Sequence, residues 1–147
     1  MKAPDLTKQP PRSPRVRLGG VAILPRMLDK ARALLAGTQG DYKFGCPLDQ
    51  RCLDFLGVEA EALKKFVAGG QGDGAVLDWI KSQSKSYPDD ASIAAWSTFE
   101  EQRAPSQLDS REYFHSTHQT IAPARTDLMT WFDLLDLDDY VSYGGVA

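Results

Sequence analysis

Cys46 stands immediately before Pro47, and a proline that opens a helix places the side chain before it at the helix N-terminus. The first amides and the helix dipole favour an anion there. Cys46 is therefore expected to be the more reactive of the two thiols and the candidate nucleophile of the chain; a small half-buried residue without chemistry would satisfy the same spacing. The other thiol, Cys52, follows six residues later. On one helix the two would stand roughly 9 Å apart, beyond the roughly 7 Å Cα limit for a disulfide. Two free thiols suit a reducing compartment.

Glu112, His115 and His118 are three residues apart in turn, a spacing that metal-binding helices use. At about 100° per residue, however, Glu112 and His118 point roughly 120° apart, and no second Glu-x-x-His occurs. His118 borders an aromatic face and His115 faces water, so the pair remain weaker catalytic candidates and no metal is expected. Asp136, Asp138 and Asp139 lack the central glycine and distal glutamate of a calcium loop. There is no Gly-x-Ser-x-Gly elbow and no Gly-x-x-x-x-Gly-Lys phosphate loop. Gly69 to Gly74 joins two predicted helices and reads as a linker. No cofactor is expected.

Charge is the strongest remaining signal. Residues 1–44 carry nine basic and three acidic residues, although the whole chain has a net charge of -3, and no basic residue follows Arg125. Arg12, Arg15 and Arg17 alternate through a Pro-broken stretch, Gly19-Gly20 allows close backbone approach, and Pro25-Arg26 opens a helix. Guanidinium forks and a helix N-terminus together suit a phosphate or carboxylate. Arg12, Arg15, Arg17 and Arg26 are therefore the expected anion site, with a small anionic ligand or an acidic protein segment as partner. The competing expectation is that Asp133 to Asp139 folds back and pairs with these arginines. The acidic balance, and the absence of aromatics interleaved with the basic stretch, argue against nucleic acid.

The elements that must position these groups are helical. Leu24, Leu28, Ala31 and Leu35 recur at helical spacing, with Arg26, Asp29, Lys30 and Ala33 on the opposite face, which is expected to be wet. Further helices are predicted from Cys46-Pro47 to Leu56, about Glu59 to Ala68, from Asp73 as a cap, from Asp90 or Ser92 to Arg103, Asp109 to Gln119 and Asp127 to Leu137. Connections are short and no alternating strand is convincing. The expected fold is a compact, all-α single domain of six to seven short helices over residues 12–147, preceded by a flexible, extended arm at 1–11. No apolar window of about eighteen residues exists and the start lacks a signal-peptide core, so no membrane contact is expected and the cytoplasm is the expected location.

The stretches Ser13-Pro14-Arg15, Leu24-Pro25-Arg26, Leu28 to Ala33, Ala36-Gly37-Thr38, Cys46 to Gln50, Asp54 to Val58 and Trp131 to Asp139 resemble a family of small bacterial proteins catalogued as a domain of unknown function (DUF5069-like). The resemblance spans nearly the whole chain. It implies a bacterial origin and brings no activity or site residues. The residues alone favour a non-enzymatic binding or regulatory module with a basic anion or acidic-partner site. The alternative is a small enzyme using Cys46 as thiolate, or His115 and His118, with arginines as substrate clamps.

Overall fold

The apolar stripe Leu24, Met27, Leu28 and Ala31 winds into α1, Leu24–Ala36, opened by Pro25 and closed by Gly37 in the left-handed conformation. The same pairing of proline at the start and glycine at the end builds α2, Pro47–Leu56. In the computed structural model, which describes residues 2–147, five helices follow: α3, Ala60–Val67, α4, Asp73–Gln83, α5, Asp90–Gln102, α6, Leu108–Ile121, and α7, Trp131–Ser142. Among the described residues these helices are joined by turns and one isolated bridge between Leu18 and Val21, with no named strand. The fold is all-α, as the periodicity predicts.

One cluster forms the core: Val21 to Leu24, Met27, Leu28 and Ala31 meet Cys52, Leu53 and Leu56 of α2, Leu63 and Val67 of α3, Val76 and Ile80 of α4, Ile93 of α5 and Phe132 of α7. Two stacked pairs, Phe55 with Trp96 and Phe66 with Trp79, flank it with ring centroids 4.5 and 4.8 Å apart. The Gly19-Gly20 pair serves packing here. Both residues have positive φ, and a Cβ on Gly19 would lie 2.7 Å from the Leu77 side chain. The turn hands the chain to Ile23, which is fully buried at φ 71, a conformation a β-branched residue adopts only where its surroundings impose it.

Two expectations are corrected. The face of α1 carrying Arg26, Asp29, Lys30 and Ala33 is buried, none of the four being more than 7 % exposed. Periodicity places such a face in water only when nothing else offers it charge, and here every charged residue on it meets a partner from another element. The segment ahead of residue 12 is also no extended arm. Leu6 is 1 % exposed, its amide donates to the Thr38 carbonyl, the Thr38 hydroxyl donates to the Pro4 carbonyl, and Tyr143 donates to the Leu6 carbonyl. Burial of one leucine and three long-range hydrogen bonds hold it across the end of α1.

The last helix starts at Trp131 rather than near Asp127. Thr130 and Asp133 form a reciprocal capping box, in which the Thr130 hydroxyl accepts from the Asp133 amide and the Asp133 carboxylate accepts from the Thr130 amide.

Candidate functional site

Four charged residues of α1 form a spine. Arg26 forks onto Asp139 of α7 at 2.5 and 3.1 Å, and Asp29 takes the Arg12 guanidinium at 2.8 Å. Lys30 reaches Asp49 of α2 at 2.7 Å, and Arg32 reaches Asp73 of α4, also at 2.7 Å. Each partner comes from a different segment. Asp73, expected as a helix cap, instead receives both Arg12 and Arg32, while Gly72 takes the cap position.

The four arginines expected as an anion site are thereby accounted for. Arg12 is shared by Asp29 and Asp73, Arg15 pairs with Asp133 and Asp136, Arg17 with Glu101, and Arg26 with Asp139. Arg15 and Arg26 thus meet the acidic C-terminal helix, the competing arrangement that the charge asymmetry suggested. The N-terminus of α1 is closed as well, since Ala22, Ile23 and Leu24 are fully buried and the Ile23 and Leu24 amides are bonded to Pro14 and Ala22 carbonyls. The site expected to be open is filled by the chain's own carboxylates.

These pairings shift protons. Burial raises the Asp73 carboxyl, but the hydrogen bonds from Arg12 and Arg32 outweigh it and hold the group below its ordinary value. Asp133 is likewise lifted by burial and lowered further by the Met129 and Thr130 amides and by Arg15. A carboxyl lowered in the folded state adds stability that is complete above its unfolded value and is lost as the pH falls through the folded one. Urea midpoints are therefore expected to drop as the pH falls below about 4, and Asp73→Asn should flatten that slope. An unchanged slope would show that Asp73 is not ion-paired in solution.

Beside the spine lies a cleft of about 950 Å3. Leu6 and Thr7 line it from the N-terminal segment, Arg26 and Lys30 from α1, and residues 40–43 and 46–48 from the turn into α2. Arg103, Tyr113 of α6, and Trp131, Leu135, Asp138, Ser142 and Tyr143 of the C-terminal helix and its end complete it. Cys46 is the N-cap of α2, as the sequence predicts, and its Sγ accepts from Lys30 Nζ at 3.3 Å. The Lys30 side chain is 4 % exposed and Asp49 is fully buried. The other carboxylate oxygen of Asp49 accepts from the Gly45 amide at 2.9 Å.

Tyr42 stands over Arg26 with its ring centroid 5.5 Å from the guanidinium carbon, and its hydroxyl donates to Asp139 at 2.7 Å. Burial first, and then that hydrogen bond, push its phenol well above the ordinary range. Asp138 is raised by desolvation and by the adjacent Asp139, against the pull of Arg26. Across the cleft Arg103 lies 6.0 Å from the Trp131 ring and donates to Glu100, which is fully buried and also takes Arg51.

The histidines lie elsewhere. Neither His115 nor His118 is among the residues lining the cleft. His115 is exposed, and the Nε2 of His118 is hydrogen-bonded with the Arg125 carbonyl at 2.7 Å. Among the described residues no group of three or more His, Cys, Asp or Glu side chains could hold a metal. Nothing local in the sequence marks Lys30, Tyr42, Arg103 or Tyr143 as cleft residues, because the cleft is assembled from residues 6 to 143.

These features define an all-α protein in which a polar and aromatic cleft opens beside a buried charged helix. The chain belongs to the family described as domain of unknown function (DUF5069), whose model matches residues 8–141. No curated protein matches the chain. Among the described residues no helix is long and apolar enough to cross a membrane.

Proposed function

We propose that the protein is a non-enzymatic binding module that takes a small ligand, with an acidic group and an apolar or aromatic body, in the cleft. The cleft itself carries this reading. Its volume of about 950 Å3 is that of a small-molecule site, where apolar walls surround a few convergent polar groups. Arg26, Lys30, Lys43 and Arg103 line it against Asp41 and Asp138. Of the four cations, three are held by Asp139, Asp49 and Glu100. Lys43 is exposed and has no ion-pair partner among the described residues, so it is the cation free to receive an acid group. Tyr113 and Trp131 offer ring faces for the body.

Of the arginines first expected to bind an anion, only Arg26 reaches the cleft. An acidic protein segment is the less suited partner, because α7 already stands where such a segment would lie. The enzyme alternative lacks a proton-relaying imidazole among the lining residues, and this favours binding over catalysis.

The test is thermal unfolding with a panel of aromatic carboxylates and aryl phosphates at millimolar concentration. At least one member is expected to raise the melting temperature and quench Trp131 fluorescence. Lys43→Ala should lose most of that shift while its unliganded melting temperature stays unchanged. No shift with any member would overturn the reading.

A further inference from the structure

We infer that the ligand of the cleft is an aromatic amino acid, whose ammonium group is received by Asp138 while Lys43 takes its carboxylate. The inference rests on the binding reading and deepens it, because it gives the ligand a second charged group of opposite sign.

The charges left free in the cleft call for both signs. Arg26, Lys30 and Arg103 are held by Asp139, Asp49 and Glu100, so they neutralise acids of the chain itself and leave no surplus for a plain anion. What remains in the lining is Lys43 against Asp41 and Asp138. A ligand with an acid group alone would satisfy Lys43 and bring a further negative charge to two carboxylates. A zwitterion meets each sign with its opposite.

Asp138 differs from the other acids of α7. Asp133 and Asp136 meet Arg15, and Asp139 meets Arg26, whereas Asp138 has neither ion pair nor hydrogen bond from its side chain among the described residues. Desolvation and the adjacent Asp139 both raise its carboxyl, against the pull of Arg26. Such a group has given up water without gaining a cation of its own, and an ammonium from the ligand supplies one.

The tyrosines of the lining favour the same kind of ligand. The Tyr42 hydroxyl donates to Asp139, the neighbour of Asp138, at 2.7 Å, and the Tyr143 hydroxyl donates to the Leu6 carbonyl at 2.6 Å. Each phenol therefore has a lone pair, and no proton, left to offer the cleft. An ammonium group brings three donors to such acceptors, whereas a carboxylate or phosphate brings none.

Helix α7 sets the spacing. Trp131, Leu135, Asp138 and Ser142 follow one another at steps of four, three and four along one stripe, and all four line the cleft. Trp131 and Asp138 are thus about 10 Å apart along the helix axis. A hydrogen bond of about 3 Å at Asp138 and ring packing at about 4.5 Å beside Trp131 leave a few ångströms to bridge, which is the reach from ammonium to ring in an aromatic amino acid. Leu135 lies under that path, and Tyr113, with its ring centroid 6.3 Å from that of Trp131, adds a second aromatic wall.

Isothermal titration of the full chain at pH 7 tests the inference with L-phenylalanine, L-tyrosine and L-tryptophan, each beside the deaminated acid of the same side chain. At least one amino acid is expected to bind about tenfold more tightly than its deaminated acid. Asp138→Asn keeps the volume and breaks no internal pair, so it should leave the melting temperature unchanged and bring the two affinities together. Lys43→Ala should weaken both by a similar factor. A deaminated acid that binds as tightly as its amino acid, or a preference that survives Asp138→Asn, would overturn the inference and leave the binding reading standing. Absence of binding by all three amino acids at millimolar concentration would overturn it too, and the aromatic carboxylates and aryl phosphates then decide the binding reading on their own.

Discussion

Replacing Asp139 by alanine is expected to cost about 3–5 kcal/mol of stability, because it strands a buried charge. The Arg26 and Asp139 side chains are 4 % and 8 % exposed and meet through two hydrogen bonds, and Tyr42 donates to the same carboxylate. Removing the acid leaves a nearly buried guanidinium without its carboxylate, with only the Arg12 carbonyl to accept from it, and takes the acceptor from the Tyr42 hydroxyl. Arg26→Met should cost a comparable amount. Arg26→Met/Asp139→Leu should cost much less than the sum of the single changes, because the double variant buries no unpaired charge. Urea unfolding measures all three. The contrast is Arg15→Ala: its partners Asp133 and Asp136 leave it 40 % exposed, so a loss under about 1 kcal/mol that shrinks in salt is expected. A loss below about 1 kcal/mol for Asp139→Ala would show that water reaches Arg26 in solution and that this part of the spine is open.

The helices were legible because apolar residues recur at their period, and their ends because proline, glycine and short polar side chains mark them. Leu24, Leu28 and Ala31 told where α1 runs and which stripe it buries. They could not tell that Arg26, Asp29, Lys30 and Arg32 are buried too. An apolar period reports the face that leaves water for hydrophobic reasons, whereas a charged face leaves it only if opposite charges arrive from elsewhere. Those charges stand 17 to 113 residues away along the chain, at Arg12, Asp49, Asp73 and Asp139, with no local spacing to connect them.

The opposite charge of the two chain ends was the one long-range signal available, and it suggested the C-terminal acids as partners for all four arginines. Arg15 and Arg26 do meet the C-terminal helix, whereas Arg12 pairs with Asp29 and Asp73 and Arg17 with Glu101. Cys46 was legible as a helix cap from Pro47 alone. The ammonium beside it was not, because Lys30 looked like a surface residue of another helix. Nor was the cleft, since Thr7, Tyr42, Arg103, Trp131 and Tyr143 become neighbours only when the N-terminal segment crosses the end of α1 and α7 packs beside it.

The second large effect is expected at Lys30, where stability and the chemistry of the cleft meet. Asp49 is fully buried and Lys30 is its cation at 2.7 Å. Lys30→Met fills the space of the aliphatic stem but leaves a carboxylate in the interior with one remaining donor, the Gly45 amide. The expected cost is again about 3–5 kcal/mol, read by urea unfolding. Asp49→Asn alone should also destabilise, since it leaves the buried ammonium facing only the Cys46 sulfur and an amide. The two changes together remove both charges and keep an acceptor for Gly45, so the double variant should regain most of what either single change loses. Additive losses in the double variant would show that the pair does not act as a unit, and would also remove the reason to regard Lys30 as a fixed charge beside Cys46.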